Sequence, residues 1–172
     1  MGRISVRPLE PGDWARYRAV RLAALADAPE AFGSTLEREQ AFTAETWRQR
    51  LAGRDQFLAE DDGQACGLVG IVPTGPSTAQ LVSMWVAPTA RGRGIANRLV
   101  GEALRGADTG GIVHLELWVT QGNDRAERLY ARHGFQRTGR VQPVREGDSR
   151  LEFAMKRRAP MDESKAAPQL PT

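Results

Sequence analysis

The segment between residues 86 and 96 constrains the fold of this chain more than any other. Its sequence is Val-Ala-Pro-Thr-Ala-Arg-Gly-Arg-Gly-Ile-Ala. It follows an alternating apolar run over residues 79–86, passes two glycines, and enters a segment whose apolar residues Ile95, Leu99, Val100, Ala103 and Leu104 recur with helical spacing. A strand that leads through a glycine loop into an amphipathic helix is typical of α/β domains.

The same loop predicts an anion-binding site. Gly92 and Gly94 allow the backbone to approach a ligand closely, and the free N–H groups of a first helical turn carry partial positive charge. Arg91 and Arg93 add full charges. The loop lacks the Gly-Lys-Ser/Thr of a Walker loop and the third glycine of a dinucleotide fingerprint. A plain tight turn explains the same Gly-x-Gly pattern, so the loop alone leaves both interpretations open.

The rest of the chain predicts one α/β domain. The predicted elements are a strand at 4–8, a helix at 13–27 capped by Asp13, a helical region at 35–51 interrupted near Thr43, a three-stranded meander at 56–60, 66–72 and 79–86, a helix from 94 to about 110, a strand at 112–119, a helix at 123–132, and two antiparallel strands at 135–142 and 150–156. This order indicates a single-domain mixed sheet, mostly antiparallel and flanked by helices, over residues 1–158. The Pro-containing tail, 159–172, is predicted to be disordered.

Composition excludes several classes of protein. A single cysteine, Cys66, rules out an internal disulfide and a Cys-rich zinc site, and no metal is expected. No apolar run approaches the roughly 18 residues of a membrane span, and the N-terminus lacks a signal-peptide core. A cytoplasmic protein with no membrane partner is therefore expected.

Positive charge is concentrated in the second half of the domain. Residues 63–158 contain 14 Arg or Lys against eight Asp or Glu, a net charge of +6. Arg binds phosphates bidentately, so this excess indicates a phosphorylated partner. A GC-rich genome explains the preference for Arg over Lys equally well. Aromatic residues make up only 6% of the chain, which argues against nucleic acid as the partner.

A second motif follows the next strand. Asn123-x-x-Ala126-x-x-Leu129-Tyr130 ends in Gly134-Phe135. Together with Arg91-x-x-Gly94-x-Ala96, this motif makes the chain resemble the GNAT family of N-acetyltransferases over residues 3–157. The resemblance implies the GNAT (acyl-CoA N-acyltransferase) fold. It also implies transfer of an acetyl group from acetyl-CoA to a primary amine, by direct attack in a ternary complex.

The resemblance assigns roles to individual positions. It implies that the pyrophosphate of acetyl-CoA lies on the loop amides and that the pantetheine arm lies between splayed strands at Leu81–Val86 and Ile112–Val119. The backbone N–H of Val86 would polarise the thioester carbonyl, and Tyr130 would be the general acid. The implied acetyl-CoA contacts are Trp85, Val86, Arg91, Gly92, Arg93, Gly94, Ile95, Ala96, Asn123 and Tyr130. From its sequence pattern alone, Tyr130 is better explained as a helix residue that packs in the core, and it is the resemblance that favours the general acid.

The general base is where this sequence departs from the family. Ribosomal-protein N-terminal acetyltransferases have a Glu five residues before the Asn123 position, where this chain has Trp118. Other members use a Glu early in the third meander strand, where Gln80 is the nearest counterpart. Strand alternation puts Glu116 on the same face as Trp118, so Glu116 is the candidate base, acting through a water. The alternative is that Glu116 is a structural carboxylate paired with an Arg.

The acceptor is left open by the sequence. A small molecule and a protein N-terminus both fit, and the candidate acceptor-site residues are Arg21, Phe32, Glu37, Trp47, Trp85 and Arg145. Family members are frequently dimers, so a homodimer is compatible with the resemblance. The alternative function is a catalytically weak acyl-CoA-binding regulatory protein, which would keep the loop and lose the general acid.

Overall fold

In the computed structural model, which describes residues 2–161, one seven-stranded sheet is flanked by helices on both faces. The strands are β1 (Ile4–Pro8), β2 (Asp55–Asp61), β3 (Gln64–Gly75), β4 (Thr78–Val86), β5 (His114–Thr120), β6 (Gln136–Pro143) and β7 (Leu151–Arg158). The helices are α1 (Trp14–Asp27), α2 (Leu36–Gln40), α3 (Ala44–Ala52), α4 (Ile95–Thr109) and α5 (Asp124–Arg132). Short 3-10 turns lie at Pro11–Asp13, Pro29–Ala31 and Pro88–Ala90.

The strand order is β1-β2-β3-β4-β5-β7-β6. Every neighbouring pair is antiparallel except β4 and β5, which run parallel. The predicted mixed, mostly antiparallel sheet is therefore confirmed, with β1 as an edge strand and β5 in the interior. The last strand, β7, inserts between β5 and β6, so the terminal hairpin joins the sheet through its second strand.

Strands β4 and β5 pair only at their first residues and then diverge. Their register covers Thr78–Gln80 against His114–Glu116 and goes no further. Beyond it, β4 contains a bulge: two residues, Ser83 and Met84, stand opposite one residue of β3, and Ser83 has φ of 60°. A bulge bends its strand and increases the local twist. The result is a wedge-shaped gap between the carboxyl halves of β4 and β5.

Each face of the sheet has its own core. Helices α1 and α3 cover one face over β2 to β4, where Tyr17 and Trp47 pack edge to face at 5.4 Å. Helices α4 and α5 cover the other face, where Leu115, Leu117 and Val119 of β5 are buried. The intervening residues of β5 point to the α1 side and are only half-buried.

Two local predictions about helix ends have different outcomes. The prediction that Asp13 caps α1 is wrong: its side chain makes no cap hydrogen bond. Its carboxylate accepts instead from the backbone N–H of Glu10 at 2.9 Å and from Arg7. The interruption near Thr43 is confirmed, because the Thr43 side chain accepts from the N–H of Thr46 and starts α3.

The part of the chain after β7 is described only as far as residue 161. The Ala159 N–H donates to the Val113 carbonyl at 2.8 Å, which fixes the first residue of the predicted tail. The prediction of disorder for residues 162–172 lies outside the described residues. None of the described helices is long and apolar enough to cross a membrane.

Candidate active site

A cleft of about 740 Å³ follows the gap between β4 and β5 from one face of the sheet to the other. Nine of the residues predicted to contact acetyl-CoA line it: Trp85, Val86, Arg91, Gly92, Gly94, Ile95, Ala96, Asn123 and Tyr130. Arg93 and the candidate base Glu116 are outside its lining. The structure therefore brings the two sequence motifs together around one cleft and leaves two predicted site residues beside it.

The glycine loop presents open backbone to the cleft. Gly94 is the N-cap of α4 with φ of 75°, and a Cβ atom built on it would meet nothing within 4 Å. A side chain at this left-handed φ would be strained. Because Gly94 has no capping side chain, the first N–H groups of α4 have no side-chain partner at this end of the helix. Free amides beside open space suit an anion such as a pyrophosphate, and the residues present fit that group.

The two loop arginines are engaged with carboxylates on neighbouring elements. Arg91 donates from Nη2 to Asp27 at 2.6 Å and from Nε to the Val86 carbonyl at 3.0 Å. Arg93 forms an ion pair with Asp61 at the end of β2, and the hydrogen bond from Arg93 holds the pKa of Asp61 below its ordinary value. The Arg91 pair connects the loop to α1, and the Arg93 pair connects it to β2. Both arginines therefore stabilise the position of the loop in this structure.

The amide of Val86 points into the gap. Ala87 N–H donates to the Cys66 carbonyl at 2.8 Å, and Val86 stands opposite Gly67 in the β3–β4 pair. Hydrogen-bonded and non-bonded pairs alternate along an antiparallel ladder. The Val86 N–H therefore faces away from β3 and toward β5, where a carbonyl oxygen in the gap could accept from it.

Asn123 and Tyr130 lie on α5 along the same cleft. The Asn123 side-chain oxygen accepts from the Ala126 N–H at 3.1 Å and caps the helix. That leaves its amide hydrogens for a ligand. Tyr130 is 6% exposed and packs edge to face on Phe135 at 5.8 Å. Its ring therefore belongs to the core, as its helical pattern suggested, and it also lines the cleft.

Burial raises the pKa of the Tyr130 phenol well above its ordinary value of 10.0. A phenol with a raised pKa keeps its proton at neutral pH and can donate a hydrogen bond to an atom in the cleft. The same shift makes it a weaker acid, so its contribution to a leaving thiolate is a hydrogen bond that becomes a proton transfer as negative charge builds on sulfur.

Glu116 is held in an ion pair. Its Oε2 accepts from Arg140 Nη1 at 2.7 Å, and the Arg140 guanidinium lies over the Trp118 ring at 5.1 Å. The side chains of Glu116, Arg140 and Trp118 therefore lie next to one another on the α1 side of the sheet. This geometry matches the alternative considered for Glu116, a carboxylate paired with an Arg, and its role as the base stays a prediction.

The end of the cleft on the α1 side has mostly apolar walls. Phe32, Trp118 and Val144 line it together with one carboxylate, Glu152. Arg145 donates to the Pro29 carbonyl, so the β6–β7 loop meets the 29–31 turn at this end of the cleft.

The other acceptor-site candidates lie elsewhere. Arg21 is 4% exposed and paired with Glu39, so it is a core residue. Trp47 is fully buried in the core beneath α1, and Glu37 is exposed on α2 outside the cleft. The prediction of acceptor contact is therefore wrong for Trp47, because no face of its ring reaches solvent.

Sequence reasoning missed four charged residues that line the cleft. Arg125, Arg128 and Arg132 lie on α5 and are exposed. Their spacing of three and four residues would have predicted a shared helix face. Glu152 lies on β7. No local sequence pattern predicts that it lines the cleft, because its position depends on which strand β7 pairs with. Residues 2–161 hold no cluster of three or more His, Cys, Asp or Glu side chains suited to a metal.

The sheet is split where β4 and β5 run parallel, and the glycine loop and the start of α4 lie at this split. This combination is typical of acyl-CoA-binding transferase domains. Residues 19–135 match the sequence model of the Acetyltransferase (GNAT) family. This match covers more than half of the chain, and the chain belongs to that family.

Individual relatives agree with this assignment. The chain is 33% identical over 135 residues to a mycothiol acetyltransferase of Thermomonospora curvata, covering 78% of this chain and 44% of that protein. It thus spans less than half the length of that relative. Its fold is similar to a GNAT-family acetyltransferase of Streptococcus pneumoniae, with a TM-score of 0.76, 22% identity, and 91% and 99% of the two chains covered. An acetyltransferase of Salmonella typhimurium, solved with acetyl-CoA, gives a TM-score of 0.72, 19% identity, and 96% and 98% coverage.

Proposed function

We propose that this protein transfers the acetyl group of acetyl-CoA to a primary amine by direct attack within a ternary complex. The observation that carries the proposal is the continuous cleft through the β4–β5 gap, with the glycine loop at one end, Val86 and Tyr130 along it, and a mostly apolar mouth at the other. Such a cleft admits two ligands from opposite faces of the sheet. Acetyl-CoA supplies the activated acetyl thioester.

Attack on a thioester builds negative charge on its carbonyl oxygen. The Val86 N–H faces the gap where that oxygen would lie, and a preorganised backbone donor is often the largest single contribution to such a reaction. Apolar side chains line part of the cleft, and an apolar surrounding strengthens the effect of such a donor. Val86 therefore has the role of the oxyanion donor in this proposal.

The leaving group is a thiolate that must be stabilised as the bond to sulfur breaks. Tyr130 supplies the donor from α5, and its buried ring fixes where the hydroxyl lies. A catalytically weak regulator of the same fold would not need a phenol at this position. The presence of Tyr130 in the cleft therefore favours the enzyme over the regulatory alternative.

The amine must lose a proton around the time of attack. Glu116 remains the candidate base, acting through a water, and its ion pair with Arg140 is the competing role. An amine whose pKa is near 8 is partly neutral at neutral pH, so such an acceptor reacts without a strong base. Both routes end with the proton leaving the acceptor nitrogen before the product amide is released.

A thiol-release assay with acetyl-CoA and a panel of primary amines tests the proposal. We expect amine-dependent release of CoA, with the acetyl amide detected by mass spectrometry. Calorimetry with acetyl-CoA alone is the companion measurement. Binding of acetyl-CoA without amine-dependent thiol release across the panel would favour the regulatory alternative. The relatives are named for mycothiol, but the match spans less than half their length, so the acceptor is inferred from the cleft itself.

A further inference from the structure

Glu152 is the one carboxylate among the described residues that line the cleft. Four arginines line the same cleft: Arg91 in the glycine loop and Arg125, Arg128 and Arg132 on α5. Because Arg91 is paired with Asp27, the positive side-chain charge of the cleft lies mainly on α5, and the negative charge lies on β7. Complementary charge of this kind selects among ligands.

Glu152 also differs from most acidic residues of the second half of the domain. Five of these carboxylates are paired with arginines: Glu102, Asp108, Glu116, Glu127 and Asp148. No ion pair within residues 2–161 includes Glu152. Its Oε1 accepts a hydrogen bond from Gln142 Nε2 at 2.8 Å, and this neutral donor orients the carboxylate without cancelling its charge. A half-buried carboxylate kept free of arginine in an arginine-rich chain is suited to an external cation.

The register of the sheet places Glu152 to one side of the reaction gap. Glu152 stands opposite Thr120 of β5 and opposite Gln142 of β6. Neighbouring strands lie about 4.8 Å apart, and side chains stand roughly perpendicular to the sheet. A carboxylate on β7 is therefore displaced from the middle of the β4–β5 gap by between one and two strand spacings, roughly 5–10 Å. The Glu152 backbone therefore lies beside the gap, where its carboxylate can meet a part of the acceptor other than the nitrogen that attacks.

From these observations we infer that Glu152 binds a second, positively charged group of the acceptor, several ångströms from the amine that is acetylated. The acceptor class is then a diamine or a similar dication, whose intervening carbons pack against Phe32, Trp118 and Val144. Glu152 is a specificity-determining residue in this scheme and takes no part in the proton transfers. The inference rests on the proposed acetyl transfer, whose reacting groups lie in the gap.

Matched acceptors separate the second charge from the reacting amine. We would measure kcat/KM for 1,5-diaminopentane, for pentylamine, which lacks the second charge, and for 5-aminopentanoate, which reverses it. In the wild-type protein we expect the diamine to be preferred over pentylamine by about 10-fold to 100-fold, the range of one charge-assisted hydrogen bond. The amino acid should be the poorest of the three.

Substitution at Glu152 should affect the diamine far more than the monoamine. Glu152→Gln should lower kcat/KM for the diamine about 10-fold or more, mainly through KM, with a much smaller change for pentylamine. Glu152→Lys should reverse the order in favour of 5-aminopentanoate. Glu146→Gln is the matched control, because Glu146 is exposed in the β6–β7 loop and outside the cleft lining. Equal rates for diamine and pentylamine in the wild type, or an equal loss for both in Glu152→Gln, would overturn the inference.

A binding measurement distinguishes failure of the Glu152 assignment from failure of the proposed acetyl transfer. Calorimetric titration of 1,5-diaminopentane into CoA-saturated protein needs no turnover, and it should show binding that is lost in Glu152→Gln. Absence of binding to the wild type overturns the assignment of Glu152. If the diamine binds through Glu152 but no amine in the panel is acetylated, the proposed transfer fails and the cation site stands.

Discussion

Arg21 Nη1 donates to Ser83 Oγ at 2.8 Å, which joins the middle of α1 to the bulge of β4. The other side of the guanidinium binds Glu39 through Nε and Nη2, both at 2.9 Å. Ser83 has a left-handed backbone, a conformation that costs a non-glycine residue about 1–2 kcal/mol. The buried pair thus supports the strained residue at the point where β4 bends away from β5, and that residue also lines the cleft.

Removal of Glu39 should destabilise the fold severely. Glu39→Ala leaves Arg21 buried without its counter-charge, and breaking a buried pair in this way costs about 3–5 kcal/mol. The free energy of unfolding in urea is the measurement. Glu45→Ala is the control, because Glu45 pairs with Arg48 on the exposed surface and such pairs contribute about 0–1 kcal/mol. Similar losses in the two variants would contradict the role given to the buried pair.

Acid should weaken the wild-type protein partly through Glu39. Burial alone would raise the pKa of Glu39, but hydrogen bonding and charge from Arg21 outweigh it, so the pKa lies below its ordinary value of 4.5. A lowered pKa contributes stability above the unfolded value, and this contribution is lost as pH falls from about 4.5 toward the folded pKa. Unfolding free energies from pH 7 to pH 3 should therefore fall more steeply for wild type than for Glu39→Gln. Parallel curves would exclude this linkage.

Tyr130→Phe should lower kcat and leave acetyl-CoA affinity nearly intact. The substitution keeps the buried ring and its contact with Phe135, and it removes only the donor hydroxyl. General acid contributions are about 10²–10⁴-fold, and a thioester with a better leaving group should recover much of the rate. Tyr17→Phe is the matched control, since Tyr17 is buried under α1 outside the cleft. A wild-type kcat in Tyr130→Phe, with chemistry shown to be rate-limiting, would make Tyr130 a packing residue only.

Gly94→Ala should weaken acetyl-CoA binding by much more than its effect on stability explains. A Cβ atom at Gly94 would occupy open space beside the free amides of α4, and φ of 75° adds backbone strain. Gly63 in the β2–β3 turn has φ of 82° and equally open surroundings, so Gly63→Ala carries the same strain away from the cleft. Both variants should lose about 1–2 kcal/mol of stability. Calorimetry should show reduced affinity in Gly94→Ala alone, and equal affinities would contradict the anion site.

Glu116→Gln distinguishes a base from a structural ion pair. If Glu116 removes the acceptor's proton, the rate loss should shrink as pH rises and the amine becomes neutral without help. If the ion pair is its role, Arg140→Gln should produce the same loss, and that loss should not depend on pH. Rates of thiol release between pH 6.5 and 9.5 for the two variants decide between the two roles.

Local chemistry made much of the site predictable. The positive φ at Gly92 and Gly94 and the helix start after them follow from residues that are adjacent in sequence. Tyr130 and Ala126 share a helix face because they are four residues apart. Period-two and helical patterns also predicted the order of strands and helices, since one buried face per element leaves a readable repeat.

The sequence by itself determined these local elements and the two motifs that meet in the cleft. Only the tertiary structure decided the partners of the charged side chains: Arg91 with Asp27, Arg93 with Asp61, and Glu116 with Arg140. These pairs join residues 24 to 64 positions apart, and no periodicity specifies them. Likewise, Glu152 reaches the cleft because β7, and not β6, pairs with β5. That choice depends on which strand buries its apolar face against α4 and α5, which is a property of the whole sheet.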